Sequence, residues 1–396
     1  MSRFNFTKSF FLLACAITLA LPIACDHKST YGPEAPVGTT LGFSGEDYGQ
    51  SAVQSSDGGY FITGWTNSIR GNYDMYVIKT DKNYTTEWSK TFGNANVDKG
   101  YKGAQTKDGG FVMVGTVSIK PGNNDIFCAK MDSRGKMLWS QHFGGSKNDD
   151  GRSFEELPDG GIVIAGTADT AGTGNEDVIL IKLNAQGELQ WMKTYGGPSS
   201  DRAADVKRAS DGGFVVTGRS SSFGPVVYST FLLKTDADGN QQWLTTSGGA
   251  QDEGASVVET ADGGFLTTGR VYVGLGNFQI YLIKFTSSGV IDSARIIGFT
   301  SYEESYCITP SHDGNYLITG KTLLDNFAGD NQMLIFKIDP SGNVIWVKSY
   351  GGNMEDVGFS VQPTDNGYVV AGYTFSFGHG NADIYVLNID EDGELQ

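Results

Sequence analysis

Proline, cysteine and histidine are scarce in this 396-residue chain, which has 10 prolines, four cysteines and four histidines. Cys128 and Cys307 lie too far apart in the sequence to indicate a disulfide framework. The histidines show no spacing typical of metal ligands. They are His27, His142, His312 and His379. We therefore predict no metal and no cofactor, and a fold stabilised by packing.

Positive charge is also in short supply, because 29 Lys and Arg face 45 Asp and Glu, giving a net charge of −16. Nonspecific nucleic-acid binding depends on Lys and Arg that neutralise phosphates. The composition therefore argues against a nucleic-acid partner and favours a soluble, exposed protein.

The N-terminus carries an export signal. MSRFNFTKS is basic, and FFLLACAITLALPIAC is apolar up to Cys25. The uncharged stretch is too short for a membrane span. Ile23-Ala24-Cys25 resembles the lipobox of bacterial lipoproteins, although Pro22 stands where Leu is usual. We predict a signal peptide over 1–24, lipidation of Cys25, a tether over 25–36 and an outer-membrane lipoprotein of the bacterial envelope; an ordinary signal peptide is the alternative.

Glycine is abundant, at 55 residues, and recurs in one phrase. The phrase has the form DGG-apolar-x-x-(T/A/V)-G in five copies, begins with DGN or DNG in the other two, and recurs every 51 or 52 residues. So regular a period indicates a repeat fold. The seven copies start at Asp57, Asp108, Asp159, Asp211, Asp262, Asp313 and Asp365.

Each copy divides into four short β-like runs. In the third copy they are RSFEEL, GIVIAGTA, DVILIKL and LQWMKTY. A repeated four-stranded antiparallel unit of this length is typical of a β-propeller blade. We predict an all-β, seven-bladed β-propeller over 37–396, with repeats that start near 47, 98, 149, 201, 252, 303 and 355.

The blade motifs resemble those of known repeats. The order of signals is similar to that of WD40 blades. Tyr76-Val77-Ile78-Lys79, the turn from Asp132 to Trp139 and Tyr195-Gly196-Gly197 more closely resemble the SBBP-type seven-bladed propeller repeats of bacterial envelope proteins. This resemblance implies a fold but no particular activity, because propellers host unrelated functions.

The fourth strand of the last copy is missing, because the chain stops at Gln396. VGTTLG, residues 37 to 42, aligns with the fourth-strand segment WMKTYG. We therefore predict that Val37 to Leu41 pairs with the strand formed by Tyr385 to Asp390 and closes the ring, so that no exposed edge remains.

Residues present in every copy are interpreted as structural. The lysines that end the third strands are expected to pair with nearby acids. The acids that open the blades are expected to accept hydrogen bonds from loop amides, although a cation site at the channel mouth is an alternative. These acids are Asp47, Asp98, Asp149, Asp201, Asp252, Glu303 and Asp356.

Residues that break the pattern are the candidate binding site. The position after each phrase-closing glycine lies at the end of the blade that carries the longer loops. Arginine and lysine there suit carboxylate or sulfate groups, and aromatic rings suit sugars or a partner's anchor residues. We predict a site across blades four to seven and one; local salt bridges to the blade-opening acids are the alternative. Its residues are Arg219, Arg270, Lys321, Tyr373 and Trp65.

The sequence thus favours a noncatalytic, monomeric propeller, tethered to the envelope, that binds a protein or an anionic glycan on one face. The alternative is an envelope enzyme that acts on carbohydrate through carboxylates at the channel mouth. No catalytic residue is assigned.

Overall fold

The computed structural model describes residues 18–19, 38–69, 71–169, 175–224, 227–249, 251–300, 302–323 and 331–396. These residues form seven four-stranded antiparallel blades arranged around a central channel. In each blade the first strand is innermost and lines the channel, and the fourth is outermost. The fold is the predicted all-β, seven-bladed propeller.

The strands follow the chain from inside to outside in each blade. Blade one has β3 (Asp47–Gln54), β4 (Tyr60–Thr66), β5 (Asp74–Thr80) and β6 (Thr86–Phe92). Blade two has β7 (Lys99–Gln105), β8 (Phe111–Lys120), β9 (Asn123–Met131) and β10 (Met137–Phe143). Blade three has β11 (Asp150–Glu156), β12 (Ile162–Ala168), β13 (Asp177–Leu183) and β14 (Leu189–Tyr195). Blade four has β15 (Asp201–Arg208), β16 (Phe214–Ser220), β17 (Ser229–Thr235) and β18 (Gln241–Ser247).

The remaining blades continue this order. Blade five has β19 (Glu253–Glu259), β20 (Phe265–Gly274), β21 (Asn277–Phe285) and β22 (Ile291–Ile297). Blade six has β23 (Glu303–Pro310), β24 (Tyr316–Leu323), β25 (Asn331–Ile338) and β26 (Val344–Tyr350). Blade seven has β27 (Asp356–Thr364), β28 (Gly367–Thr374), β29 (Asp383–Ile389) and, from the start of the chain, β2 (Thr39–Leu41).

The hydrophobic core lies between neighbouring blades. Val163 and Val178 of blade three pack in one cluster with Val216 and Phe231 of blade four. The second and third strands are covered on both faces, so β13 reads as the nearly continuous apolar run DVILIKL. The outer strand β14 has one face in water and alternates as LQWMKTY.

Tryptophans on the outer strands join each blade to the next. A Cβ added to Gly289, in the last turn of blade five, would lie 2.6 Å from the ring of Trp243 in blade four. Only a residue without a side chain allows this stacking, so the repeated tryptophan is a packing residue. The five pairs are Trp88 on Gly135, Trp139 on Gly187, Trp191 on Gly239, Trp243 on Gly289 and Trp346 on Gly393.

The two ends of the chain meet in blade seven. The strand β2 pairs antiparallel with β29, with Thr39 opposite Val386 and Leu41 opposite Ile384. The partner residues thus lie one position earlier in β29 than the predicted segment, which began at Tyr385. Val37 lies outside the described residues.

Tyr84 adapts blade one to this junction. It stands where most blades have the turn glycine, and it takes a φ of 63°. Its ring stacks on Tyr60 with centroids 4.6 Å apart, and its hydroxyl donates to Asn388 Oδ1 at 2.8 Å. Leu41 packs in the same cluster. The aromatic ring therefore covers the place where five of the other six junctions have a tryptophan.

A two-residue strand, β1 (Thr18–Leu19), pairs in parallel with Arg295 and Ile296 on the outer edge of blade five. It belongs to the segment predicted to be a signal peptide. The rest of that segment, Cys25 and the predicted tether lie outside the described residues. Within the described ranges there is no helix with the length and apolar character needed to cross a membrane.

Candidate functional site: the mouth of the central channel

The central channel contains a cavity of about 850 Å³ that is lined by the innermost strands of all seven blades. Six Lys and Arg and seven Asp and Glu side chains contribute to the lining. The channel is therefore close to neutral, although the chain as a whole carries a charge of −16. One end of the channel lies beside the loops that connect the second and third strands of each blade. We call this end the mouth.

A β-bulge in every innermost strand directs one side chain into the channel. In blade one, Gly49 pairs with Gly64 and Ser51 with Thr63, so Gln50 has no partner across the ladder. Bulges re-aim side chains in this way. The seven bulged residues all line the cavity, and they are Gln50, Tyr101, Arg152, Ala204, Ala255, Tyr306 and Phe359.

The glycine that closes each repeated phrase is required by this bulge. A Cβ on Gly64 would lie 1.8 Å from the carbonyl oxygen of Tyr48, and the equivalent distances in the other six blades are 1.7 to 2.3 Å. The phrase therefore recurs because each blade needs close backbone approach beside the bulge.

The five predicted site residues occupy one equivalent position, directly after the closing glycine. Arg219 and Arg270 line the cavity, whereas Lys321, Trp65 and Tyr373 lie outside the lining. They are not one compact cluster. Their contacts nevertheless connect them around the mouth in two groups.

The first group is a chain of ion pairs across blades four to six. Arg270 Nη2 lies 3.0 Å from Glu253 and its Nη1 lies 2.9 Å from Glu304. Arg219 Nη1 lies 3.6 Å from the same Glu253 carboxylate. Lys321 Nζ lies 5.3 Å from the ring centroid of Tyr302. Glu253 and Glu304 each directly follow a blade-opening acid in the sequence. The local salt bridges predicted as the alternative therefore form with Glu253 and Glu304 and not with the blade-opening acids themselves.

Glu304 is the anchor of this group. Its side chain is 5% exposed, and Tyr306 donates to it at 2.7 Å. Burial acts to raise the pKa of Glu304, but the charges of Lys321 and Arg270 hold it below its usual value. Glu304 therefore stays ionised and keeps Arg270 in place.

The second group is aromatic and covers blades seven and one. The ring of Tyr48 lies 4.9 Å from Tyr373 and 5.6 Å from Trp65, centroid to centroid. Tyr48 therefore joins the two predicted aromatic residues. Phe359 continues the series, because its centroid lies 5.8 Å from Tyr373.

Tyr306 connects the two groups. Its ring centroid lies 5.0 Å from Phe359, and its hydroxyl binds Glu304. A continuous arc of contacts therefore runs from Arg219 through the acid and base pairs to Trp65. We call these side chains the mouth arc. Its members are Arg219, Glu253, Arg270, Glu304, Lys321, Tyr306, Phe359, Tyr373, Tyr48 and Trp65.

Deeper in the channel, charged side chains link blades two, three and four. Lys102 Nζ donates to Ser153 Oγ at 2.9 Å, and that hydroxyl donates to Asp205 at 2.6 Å. Lys207 lies 3.0 Å from Glu155. Burial acts to raise the pKa of Asp205, but Lys102 and Lys207 lower it. These groups neutralise one another and form a structural network.

The blade-opening acids are buried, with exposures of 0 to 2%. Asp98 accepts hydrogen bonds from the amides of Asn94 and Ser118 at 2.7 and 2.6 Å, and Asp149 does so from Gly145 and Asp169. These carboxylates therefore accept hydrogen bonds from loop amides, as the sequence predicts. The blade-opening carboxylates face the loops that lead into the innermost strands and are not part of the cavity lining.

Five of the six lysines that end the third strands pair with the aspartate of the repeated phrase, in blades one, two, four, five and six. Lys79 lies 2.8 Å from Asp57 and Lys234 lies 2.7 Å from Asp211. Asn388 replaces lysine in blade seven and binds Tyr84 instead. In the part of the chain that the structure describes, no group of three or more His, Cys, Asp and Glu side chains could hold a metal ion.

Several mouth residues are not identified by sequence reasoning. They are Tyr48, Tyr101, Tyr306 and Phe359. When the seven innermost strands are aligned, these residues fall in two columns whose residue type varies from blade to blade: the position directly after the blade-opening acid and the position two residues further on. This variation is the signal that could have identified them.

No protein-family model matches the chain. The regulatory protein FlaEY of Caulobacter vibrioides is 27% identical over 142 residues, which cover 31% of this chain. The match spans only 15% of that protein.

Solved structures resemble the whole ring. An ulvan lyase bound to -[GlcA(1-4)Rha3S]- has a TM-score of 0.56 at 9% identity, with 90% of this chain and 97% of that chain covered. The β-propeller domain of the Trilobed protease from Pyrococcus furiosus has a TM-score of 0.53 at 12% identity, with 90% and 96% covered. At such identities the likeness shows the propeller fold alone.

Proposed function

We propose that this propeller is a noncatalytic binding protein of the bacterial envelope and that its mouth arc binds an anionic glycan. The observation that carries the proposal is the continuous arc itself, which joins cations on blades four to six to aromatic rings on blades seven and one beside an 850 Å³ channel. Aromatic faces stack on sugar rings, and guanidinium groups bind carboxylate or sulfate.

The charge balance of the arc favours an anion. Arg219, Arg270 and Lys321 share two carboxylates, those of Glu253 and Glu304. One positive charge therefore remains at this end of the arc, whereas Glu46 and Glu355 lie beside its aromatic end. The bulged residues of blades four and five are alanines, which leave space in the channel in front of Arg219 and Arg270.

The protonation states at the arc favour binding over catalysis. Burial and the charge of Glu304 raise the pKa of Tyr306 well above its usual value, so this hydroxyl stays protonated. Glu304 stays ionised. General acid and base catalysis needs groups whose pKa lies near the working pH. Neither member of this pair meets that requirement near neutral pH.

The carbohydrate-active enzyme is retained as a second candidate, because Tyr306, Glu304 and Arg270 all line the cavity. The lyase with the similar fold acts on ulvan, so an oligosaccharide of the repeat -[GlcA(1-4)Rha3S]- is a suitable probe for both candidates. Appearance of an unsaturated uronic product that depends on Tyr306 would establish an enzyme and overturn the binding proposal.

The binding test is calorimetric titration of this oligosaccharide into the purified propeller. Lys321→Gln and Trp65→Ala each remove one contact of the arc, and we expect each to weaken binding about tenfold or more. Lys348→Gln is the control for Lys321→Gln, because Lys348 also lies over an aromatic ring, 5.7 Å from that of Trp346, but on an outer strand. Arg270→Ala is unsuitable, because it would leave Glu304 buried without its partner.

Equal binding by wild type and both arc variants would place the ligand elsewhere. Binding of polyglutamate in preference to the oligosaccharide would identify an acidic protein as the partner class. We further propose that the protein acts as a monomer, attached to the membrane only through a lipid on Cys25.

A further inference from the structure

We propose that Lys99 and Arg152, with the rings of Trp65 and Tyr101, form a second anion-binding subsite on blades one to three. This subsite extends the mouth arc beyond Trp65. The inference rests on the proposed function, because it assigns a second anionic group to the same glycan.

Lys99 is a cation that faces the ring of Trp65, and its nearest acidic influence is the more distant Asp150. Its Nζ lies 5.0 Å from the ring centroid of Trp65. Among the described residues it has no carboxylate within 4 Å and no hydrogen bond, and it is half-buried. A lysine in such a place has lost part of its hydration, and the aromatic face compensates only in part.

Arg152 adds a second cation from the neighbouring blade. It is the bulged residue of blade three, and its guanidinium carbon lies 4.3 Å from the ring centroid of Tyr101. It pairs with Asp150, which also accepts a hydrogen bond from Thr116. Arg152, Tyr101 and Asp150 line the cavity, whereas Lys99 and Trp65 lie outside its lining, so an anion on Arg152 is reachable from the channel.

Of the carboxylates that act on Lys99 and Arg152, only Asp150 lies within ion-pairing distance of Arg152, and Glu253 acts on Arg152 from further away. Burial lowers the pKa of Lys99, and the positive charge of Arg152 lowers it further, whereas Asp150 acts in the opposite direction. An anion bound between two positive charges reduces their mutual repulsion and stabilises the charged form of each. A carboxylate or sulfate placed between Lys99 and Arg152 would supply that charge.

The ring of Trp65 joins this subsite to the mouth arc. Its centroid lies 5.8 Å from Tyr101 and 5.6 Å from Tyr48. Cations therefore stand on both sides of the aromatic stretch, with Lys321 and Arg270 at one end and Lys99 and Arg152 at the other. The matching ligand is a glycan chain that carries anionic groups on both sides of the sugar units that stack on the rings.

The test compares Lys99→Gln and Lys99→Arg with wild type in titrations of the -[GlcA(1-4)Rha3S]- oligosaccharide. We expect Lys99→Gln to weaken binding about tenfold. Lys99→Arg should retain most of the affinity, because the positive charge remains. Lys193→Gln is the control, since Lys193 lies 5.7 Å from the ring of Trp191 on an outer strand. Unchanged affinity in Lys99→Gln, with binding intact in wild type, would overturn the subsite alone.

A second measurement tests the subsite without any glycan. Sodium sulfate and sodium chloride at equal ionic strength are compared for their effect on the melting temperature. Sulfate stabilises proteins generally, and the control variant reports that general effect. We expect wild type and Lys193→Gln to gain more from sulfate than Lys99→Gln. Equal gains in all three would contradict an anion site at Lys99, whereas failure of the oligosaccharide to bind wild type would overturn the glycan proposal.

Discussion

Alanine at Gly289 should destabilise the propeller more than alanine at Gly58, although both glycines have the same backbone conformation. Their φ angles are +82° and +81°. A side chain at such an angle costs about 1–2 kcal/mol at either site. The two positions differ in their surroundings. A Cβ on Gly58 would have no atom within 4 Å, whereas a Cβ on Gly289 would lie 2.6 Å from the ring of Trp243.

The difference between the two variants isolates the contact between blades. Trp243 packs against Phe265 with centroids 5.9 Å apart, so its ring has little freedom to move away. Overpacking of this kind typically costs about 1–3 kcal/mol. We therefore expect Gly289→Ala to lose ~1–3 kcal/mol more than Gly58→Ala.

Urea denaturation followed by far-ultraviolet circular dichroism measures this difference. A double-mutant cycle with Trp243→Ala supplies the control, because the extra cost of Gly289→Ala should disappear once the ring is absent. Equal destabilisation by the two alanines in the wild-type background would refute the stacking account. An extra cost that persists without Trp243 would do the same.

Four further predictions concern stability and location. Burial raises the pKa of Asp356 to about 6, above the value of about 3.9 in an unfolded chain, so its contribution to stability is lost as pH rises from 4 through 6. Asp356→Asn should therefore be more stable than wild type in urea at pH 8, by up to ~3 kcal/mol, but not at pH 4; lower stability at both would show that the hydrogen bonds from Gly352 and Ser376 matter more. Tyr84→Gly relieves a positive φ but removes the stack on Tyr60, and we expect a net loss of ~2–3 kcal/mol, read as a lower melting temperature. Deletion of residues 37–43 removes β2 from blade seven and should lower the melting temperature sharply; an unchanged melt would contradict closure by that strand. Cys25→Ala should move the protein from the membrane fraction to the soluble fraction of its host, and a wild type that is already soluble would contradict lipidation.

The fold could be predicted because the strand pattern within each copy and the period between copies indicate the same architecture. DVILIKL and LQWMKTY in the third copy are strands with the predicted bounds, Asp177–Leu183 and Leu189–Tyr195. Glycine at each turn and a steady period fix four strands per blade. Tyr84 shows where this agreement ends, because a tyrosine at positive φ is explained only by the junction it fills.

The candidate site could be predicted only in part. Strand direction decides at which end of the blade the residue after the closing glycine lies. The repeat alone therefore predicted that Arg219, Arg270 and Trp65 lie at the same end of the channel. The bulged residues did not follow. An innermost strand read with simple alternation gives no sign of the extra residue that points Tyr306 or Arg152 into the channel. The pairing of Arg270 with Glu304 likewise depends on contacts between blades, which one strand's sequence does not contain.

The crystal structure of the propeller with the -[GlcA(1-4)Rha3S]- oligosaccharide tests the central claim most directly. The account predicts density along the mouth arc, with a sugar ring against Trp65 or Tyr373 and an anionic group within hydrogen-bond distance of Arg219, Arg270 or Lys321. Density for the oligosaccharide at the opposite end of the channel or on the outer strands, with the mouth arc empty, would contradict it.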